Sequence, residues 1–188
     1  MGSPVDEMYV SVDVEAAGPN PSEYSLLSIG ACIAFDPTST FSVELQPVTD
    51  ASTPEALAVG GLDMERLRAE GLPAEQAMRE FDEWVHRSTP RDQRPVFVGF
   101  NAPFDWMFVT DYFHRFLGRN PFGHKALDIK ALFMGATGAR WDKTGFQDIA
   151  AHYGLEQRSL THDALEDAVV QAALFRNVLG DLTEGATG

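Results

Sequence analysis

Positive charge is scarce in this chain, and the first third has none. No lysine or arginine precedes Arg66, whereas eleven aspartates and glutamates lie between Met1 and Glu65. The whole chain carries 14 basic and 28 acidic residues, for a net charge of -14. Such a balance argues against tight, non-specific binding of duplex DNA, which depends on cations that neutralise phosphates. It leaves room for a nucleic-acid substrate, because an acidic site loaded with divalent cations reverses its local sign. Cysteine is nearly absent. The single Cys32 falls in the apolar run Leu26 to Phe35, where a small buried core residue is expected. One cysteine excludes an intrachain disulfide, leaves too few ligands for structural zinc, and fits a cytoplasmic protein. No apolar run approaches the ~20 residues of a membrane span. Met1 to Glu7 is polar and acidic, so no secretory leader is expected. Without repeats or low-complexity linkers, 188 residues at 44% hydrophobic content suit one α/β domain with a sizeable core.

What the chain does have is periodicity. Met8 to Glu15 alternates as a strand, with Val10, Val12 and Val14 on one face and Tyr9, Ser11, Asp13 and Glu15 on the other. Leu26 to Phe35 is nearly continuous in apolar residues, as a central strand is. A turn at Asp36 to Ser39 and a strand from Thr40 to Gln46 complete an antiparallel meander. Thr53 caps a short helix that has Pro54 at its first position and ends at Gly60-Gly61. An amphipathic helix runs from Pro73 to about Arg87. The strand Pro95 to Phe100 leads through Asn101, a plausible cap, into a helix ending near Leu117. Lys125 to Asp128 is a last short strand, followed by helices at Ile129 to Met134, Gly145 to Tyr153 and Ala164 to about Leu179.

The isolated acids fall where strands end and helices begin. Asp13 and Glu15 point the same way at a strand tip, where two carboxylates repel unless a positive charge lies between them. Asp105 lands in the first turn of a helix, just past a strand's carboxyl end, where α/β sheets place ligand sites. In the last helix, Asp163 caps and Glu166 stands at the third position, as in a capping box. That numbering puts His162 just outside the cap and Asp167 at the fourth position, which touch in a hydrophobic staple. Each acid also has an ordinary reading: an exposed strand tip, or first-turn charges that favour the helix dipole. Taken together, four carboxylates and a histidine are what two-metal phosphodiester hydrolysis requires.

In order and spacing, Val12-Asp13-Val14-Glu15 with Gly18, then Asn101-Ala102-Pro103-Phe104-Asp105, then His162 and Asp167 resemble three exonuclease motifs. They are those of the DEDDh, or DnaQ-like, family of 3′–5′ exonucleases, which includes polymerase proofreading subunits, ribonuclease T and oligoribonuclease. The resemblance extends over roughly residues 8 to 180, including Ala58 to Leu62, Asp128 and Tyr153-Gly154-Leu155. It implies a ribonuclease H-like fold: a five-stranded mixed sheet, its first three strands antiparallel, flanked by helices. One exonuclease domain is expected over 8–180, and the composition of the ends suggests a flexible N-terminus at 1–7 and a flexible tail at 181–188. The resemblance also implies two Mg²⁺ or Mn²⁺ ions held by Asp13, Glu15, Asp105 and Asp167, with His162 as general base. The terminal nucleotide would lie over Ala16 and Ala17, with Asn101 and Phe104 lining the same pocket.

The expected substrate is single-stranded RNA or DNA, or a short oligonucleotide, releasing nucleoside 5′-monophosphates. The sugar stays open, because no residue can be assigned to a 2′-hydroxyl. A homodimer follows by resemblance to ribonuclease T and oligoribonuclease. Candidate guides for the phosphate backbone are Arg91, Arg94, Arg115, Arg119, Lys125, Arg140, Lys143 and Arg158. Ala16-Ala17 replaces a turn where threonine is common, Ser28 a frequent glutamate, and Gly60 and Phe100 frequent histidines. These departures make a dedicated proofreading subunit less expected and spare the five catalytic positions. The alternatives are a non-catalytic oligonucleotide- or protein-binding module of the same fold, and a phosphoesterase for small metabolites.

Overall fold

The computed structural model describes residues 6–185. Residues 1–5 and 186–188, the outer parts of the two expected flexible ends, lie outside that range. The inner parts belong to regular elements: Asp6 and Glu7 open the first strand, and Asp181 to Gly185 prolong the last helix. Strands β1 (Asp6–Ala16), β2 (Leu26–Ile33) and β3 (Asp36–Glu44) form the meander. Helices α1 (Pro54–Gly60), α2 (Met64–Glu70) and α3 (Ala74–Ser88) lead to β4 (Gln93–Gly99) and α4 (Pro103–Leu117). Then come β5 (Ala126–Asp128), α5 (Ile129–Thr137), a single 3-10 turn (Trp141–Lys143), α6 (Phe146–His152) and α7 (Ala164–Gly185). The strand order is β3-β2-β1-β4-β5, with β1 antiparallel to β2 and parallel to β4. This is the ribonuclease H-like sheet that the motifs implied.

Alternation along β1 sorts its side chains between two cores. Val10, Val12 and Val14 pack with Phe81 of α3 and Phe108 and Phe113 of α4. On the opposite face, Tyr9 packs with Cys32, Val98, Phe133 of α5 and Phe175 of α7. At roughly 1.5–3 kcal/mol for each fully buried large side chain, the two cores clamp β1 from both sides and fix its tip. By the same period, Asp13 and Glu15 share the face that α7 covers. β1 pairs with β4 from Asp6↔Gln93 to Ser11↔Val98, so both acids reach past that stretch of parallel pairing.

Small residues let α7 settle on β2. Ala168 and Ala172 are fully buried, and the Cys32 thiol donates to the Ala168 carbonyl at 3.6 Å. Burial pushes that thiol up to about 11. A Cβ on Gly30 would fall 2.1 Å from the Ala164 carbonyl carbon, so only glycine admits the helix start at this distance.

Three local expectations change. The hairpin turn is Ala34-Phe35, and Asp36 already pairs with Ile33, because Pro37 lies on an edge strand that tolerates a missing N–H. Helix α2 went unread in the sequence; Asp63 caps it, accepting from the Glu65 and Arg66 N–H groups at 2.9 and 3.2 Å. Helix α5 continues past Met134 to Thr137, closed by left-handed Gly138.

Candidate active site

Four segments converge at the tip of β1. The Val14 N–H donates to Asp105 Oδ1 at 3.0 Å, which fastens the first turn of α4 to the strand between Asp13 and Glu15. Asp105 is thereby only 4% exposed. Asn101 does not cap α4. It sits at φ 62°, a left-handed conformation that asparagine adopts at low cost, and Ala102 occupies the cap position. The polar work passes to Asp128 of β5. Its Oδ2 accepts the Ala102 N–H and its Oδ1 the Ala131 N–H, both at 2.7 Å, so one carboxylate ties the starts of α4 and α5 together.

The start of α7 supplies the rest. Asp163 Oδ1 accepts the Glu166 N–H at 2.9 Å, the capping bond expected from sequence. The return bond of a capping box runs through Thr161, whose Oγ1 donates to Glu166 and receives the Asp163 N–H. Asp167, 2% exposed, accepts the Thr161 N–H at 2.7 Å and the His162 N–H at 3.0 Å. Its carboxylate thus grips the backbone on which His162 stands. His162 has φ 62°, and its imidazole is exposed. Ligand atoms of Glu15, His162 and Asp167 all lie within 4.8 Å of one another.

Burial and mutual repulsion raise the proton affinity of Asp13, Asp105 and Glu15. Desolvation first, then the charges of Asp105, Asp167 and Glu15, raise Asp13 well above the usual carboxylate range. Asp105 is raised in the same way, chiefly by burial. Glu15 is pushed up to about 7 by burial, then by Asp167 and Asp163. A set of oxygen donors that suppresses its own ionisation is matched to hard divalent cations, which supply the missing positive charge. The residues therefore fit a divalent metal site.

A pH effect follows. A carboxyl raised on folding binds its proton more tightly when folded, so its contribution is complete below about 4.5 and is lost as pH rises towards 7. In EDTA, Tm is expected to fall by several degrees between pH 5 and pH 8, at roughly 2–4 °C per kcal/mol for a chain of this size. Mg²⁺ or Mn²⁺ should restore it at pH 8 and do little at pH 5. Scanning calorimetry at the two pH values checks this, and an EDTA curve that rises with pH would contradict it.

All five side chains expected to be catalytic line one cleft of about 670 Å³, together with Ala16, Gly18, Phe100, Asn101 and Phe104. Residues 10–175 match the exonuclease family RNase_T. The chain is 49% identical, over 90% of both lengths, to a protein of Escherichia coli named 3′-5′ DNA exonuclease Cap18. This chain belongs to the DEDDh 3′–5′ exonuclease family.

Solved structures show the same fold at low identity. The nuclease domain of 3′hExo, a DEDDh family member bound to rAMP, superposes with a TM-score of 0.76 at 12% identity, covering 96% of this chain and 95% of that one. Exonuclease I of E. coli in complex with an oligonucleotide gives 0.67 at 16%, covering 90% of this chain and 40% of that one. Members of the DEDDh family depend on divalent metals, in keeping with the acidic cluster of this exonuclease.

The residues expected to touch substrate separate on inspection. Ala16, Asn101 and Phe104 line the cleft, and Phe104 also packs on Phe108 at 5.2 Å. Ala17 does not line it. The residue follows the end of β1 in a bend, where its N–H donates to the Ser25 carbonyl and its carbonyl accepts the Thr53 N–H, and it is fully buried with Leu27, Met64 and Leu67. The other histidines turn elsewhere: His86 to Asp82, His114 to His124, and His152 to Phe133 and Tyr153. Four of the candidate backbone guides are paired with acids: Arg115 with Asp111, Arg119 with Asp82, Arg140 with Asp142 and Lys143 with Asp148. Lys130, absent from that set, stands 3.5 Å from Asn101 Oδ1 at the cleft's edge.

Gln171 of α7 is the other residue that sequence reading missed. It is 1% exposed; its Nε2 donates to Asp13 Oδ1, and its Oε1 accepts the Phe100 N–H at 2.9 Å. It joins motif residues from β1 and the end of β4. Replacing it with leucine strands the Phe100 N–H and frees Asp13. Stability should fall by about 1–3 kcal/mol, and kcat by roughly ten- to a hundredfold as Asp13 loses its position. Denaturant melts beside steady-state kinetics check both effects.

Proposed function

We propose that this exonuclease removes nucleotides one at a time from the 3′ end of single-stranded DNA, releasing nucleoside 5′-monophosphates. The observation that carries the reading is the convergence of four acids and one exposed imidazole on a single cleft. Two Mg²⁺ or Mn²⁺ ions would be held by Asp13, Glu15, Asp105 and Asp167. When bound, they supply positive charge for a hydroxide nucleophile and for the leaving oxygen. His162 takes the proton of the attacking water on an imidazole nitrogen. Water oxygen bonds to phosphorus, the bond from phosphorus to the penultimate 3′-oxygen breaks, and that oxygen leaves with the electron pair and takes a proton from solvent water to become the new 3′-hydroxyl. Asp167 holds His162 in place through its backbone N–H. Ala16, Asn101 and Phe104 form the wall against which the terminal nucleoside rests.

DNA is favoured over RNA by the likeness, at 49% identity, to the 3′-5′ DNA exonuclease of E. coli. Among the described residues no helix is long and apolar enough to cross a membrane, and the one buried thiol suits a reducing cytoplasm. One exonuclease domain over 8–180, acting as a homodimer, completes the reading. The test is a time course with 5′-labelled single-stranded DNA and RNA of equal sequence, in Mn²⁺ or EDTA. A ladder shortening from the 3′ end, faster on DNA and absent in EDTA, is expected. Binding of either strand without cleavage in any divalent metal would point instead to a non-catalytic module.

A further inference from the structure

We propose that Lys130 and Trp141 form a second binding site, a stacking platform for the single-stranded segment that lies 5′ of the terminal nucleotide. The proposal rests on the exonuclease reading and extends its substrate path. Phe100 and Asn101 line the cleft, and Lys130 of α5 approaches both. Its ammonium lies 3.5 Å from Asn101 Oδ1 and 5.9 Å from the centre of the Phe100 ring. On its far side it sits 4.7 Å from the centre of the Trp141 ring. Cation and indole therefore lie one after the other beside the cleft residues Asn101 and Phe100.

The chemistry of that pair suits a nucleic-acid strand. Trp141 is 56% exposed, whereas most large apolar side chains of this chain are buried. The ring is carried on a short, well-tied turn. The Lys143 N–H donates to the Arg140 carbonyl at 2.8 Å, and the buried Thr144 hydroxyl donates to the Trp141 carbonyl at 2.8 Å. A rigid exposed indole offers a π-face to any base, and the neighbouring ammonium offers a partner to the phosphate beside it. Lys130 faces an amide oxygen and two rings instead of a carboxylate, so its charge is available. In a chain of net charge -14, Arg140 and Lys143 on the turn that carries Trp141 pair with Asp142 and Asp148, whereas Lys130 pairs with no acid among the described residues. Stacking on Trp141 requires an unpaired base, so the platform selects single strands over duplex.

Two substrates separate the platform from the catalytic centre: a 5′-labelled thymidine 12-mer, and thymidine 5′-p-nitrophenyl phosphate, which is too short to leave the cleft. For Trp141→Ala, the ratio of KM for the 12-mer to KM for the ester should rise about tenfold, as for one lost base–aromatic stack. Trp141→Phe should recover most of it. Lys130→Ala should lower the slope of log affinity for the 12-mer against log salt by about 0.7, the loss of one phosphate contact. A KM ratio within twofold of wild type in Trp141→Ala overturns the platform while leaving the nuclease reading intact. If wild type cleaves neither substrate, the nuclease reading fails instead. Anisotropy of the labelled 12-mer then decides: about tenfold weaker binding by Trp141→Ala supports the platform, and equal binding overturns it.

Discussion

Asp13→Asn abolishes metal-dependent shortening of a labelled strand, with kcat/KM lower by at least about 10³-fold. The magnitude follows from several kcal/mol of charge stabilisation at roughly 1.36 kcal/mol for each factor of ten. Asparagine keeps the oxygen that accepts from Gln171 and occupies nearly the same volume. What it removes is the negative charge that Asp105, Asp167 and Glu15 oppose. The metal-free variant should therefore be more stable than wild type at pH 8, with a higher Tm in EDTA and a flatter dependence on pH. Its Tm should also respond less to Mg²⁺. Loss of activity together with a gain in metal-free stability separates a metal ligand from a structural acid, because a structural acid would lose both. Activity within tenfold of wild type would remove Asp13 from the reaction.

His162→Asn is expected to lower kcat by about 10²–10⁴-fold, the range for a general base. Asparagine is the suitable replacement because residue 162 has φ 62°, where asparagine costs little and a β-branched residue would strain the loop. The backbone N–H that Asp167 holds is retained, and the imidazole is exposed, so Tm should stay within about 1 °C of wild type. The pH profile carries the sharper signature. A general base works only while unprotonated, so the step it serves fails on the acid side. Under saturating metal the wild-type rate should fall towards low pH, and the residual rate of His162→Asn should not show that limb. An identical acid limb in both proteins would assign the proton transfer to another group.

Much of the site was legible because its parts are local patterns. A two-residue period is enough to place Asp13 and Glu15 on one face of β1. The cap at Asp163 and the first-turn position of Asp105 follow from rules that span only a few residues. The same rules misplace what depends on tertiary surroundings. Asn101 has the chemistry of a cap, yet Asp128, 26 residues away, meets the Ala102 N–H in its stead. Ala17 stands next to a residue that lines the cleft and still turns into the core, because the chain leaves β1 there and its backbone is tied to Ser25 and Thr53.

The sequence by itself determined the family, through the order and spacing of its acids and histidine, each set at a strand tip or a helix start by short-range geometry. Only the tertiary structure decided how those segments meet. Gln171 reaches Asp13 across 158 residues, and Gly30 admits α7 at a distance that no local pattern announces. Packing also decided which cations remain free, since Arg115, Arg119, Arg140 and Lys143 find carboxylates and Lys130 instead stands between the cleft and Trp141. The reason is physical: side-chain direction and capping are set within one turn or one strand, whereas burial, pairing and proton affinity are set by whatever the fold brings alongside.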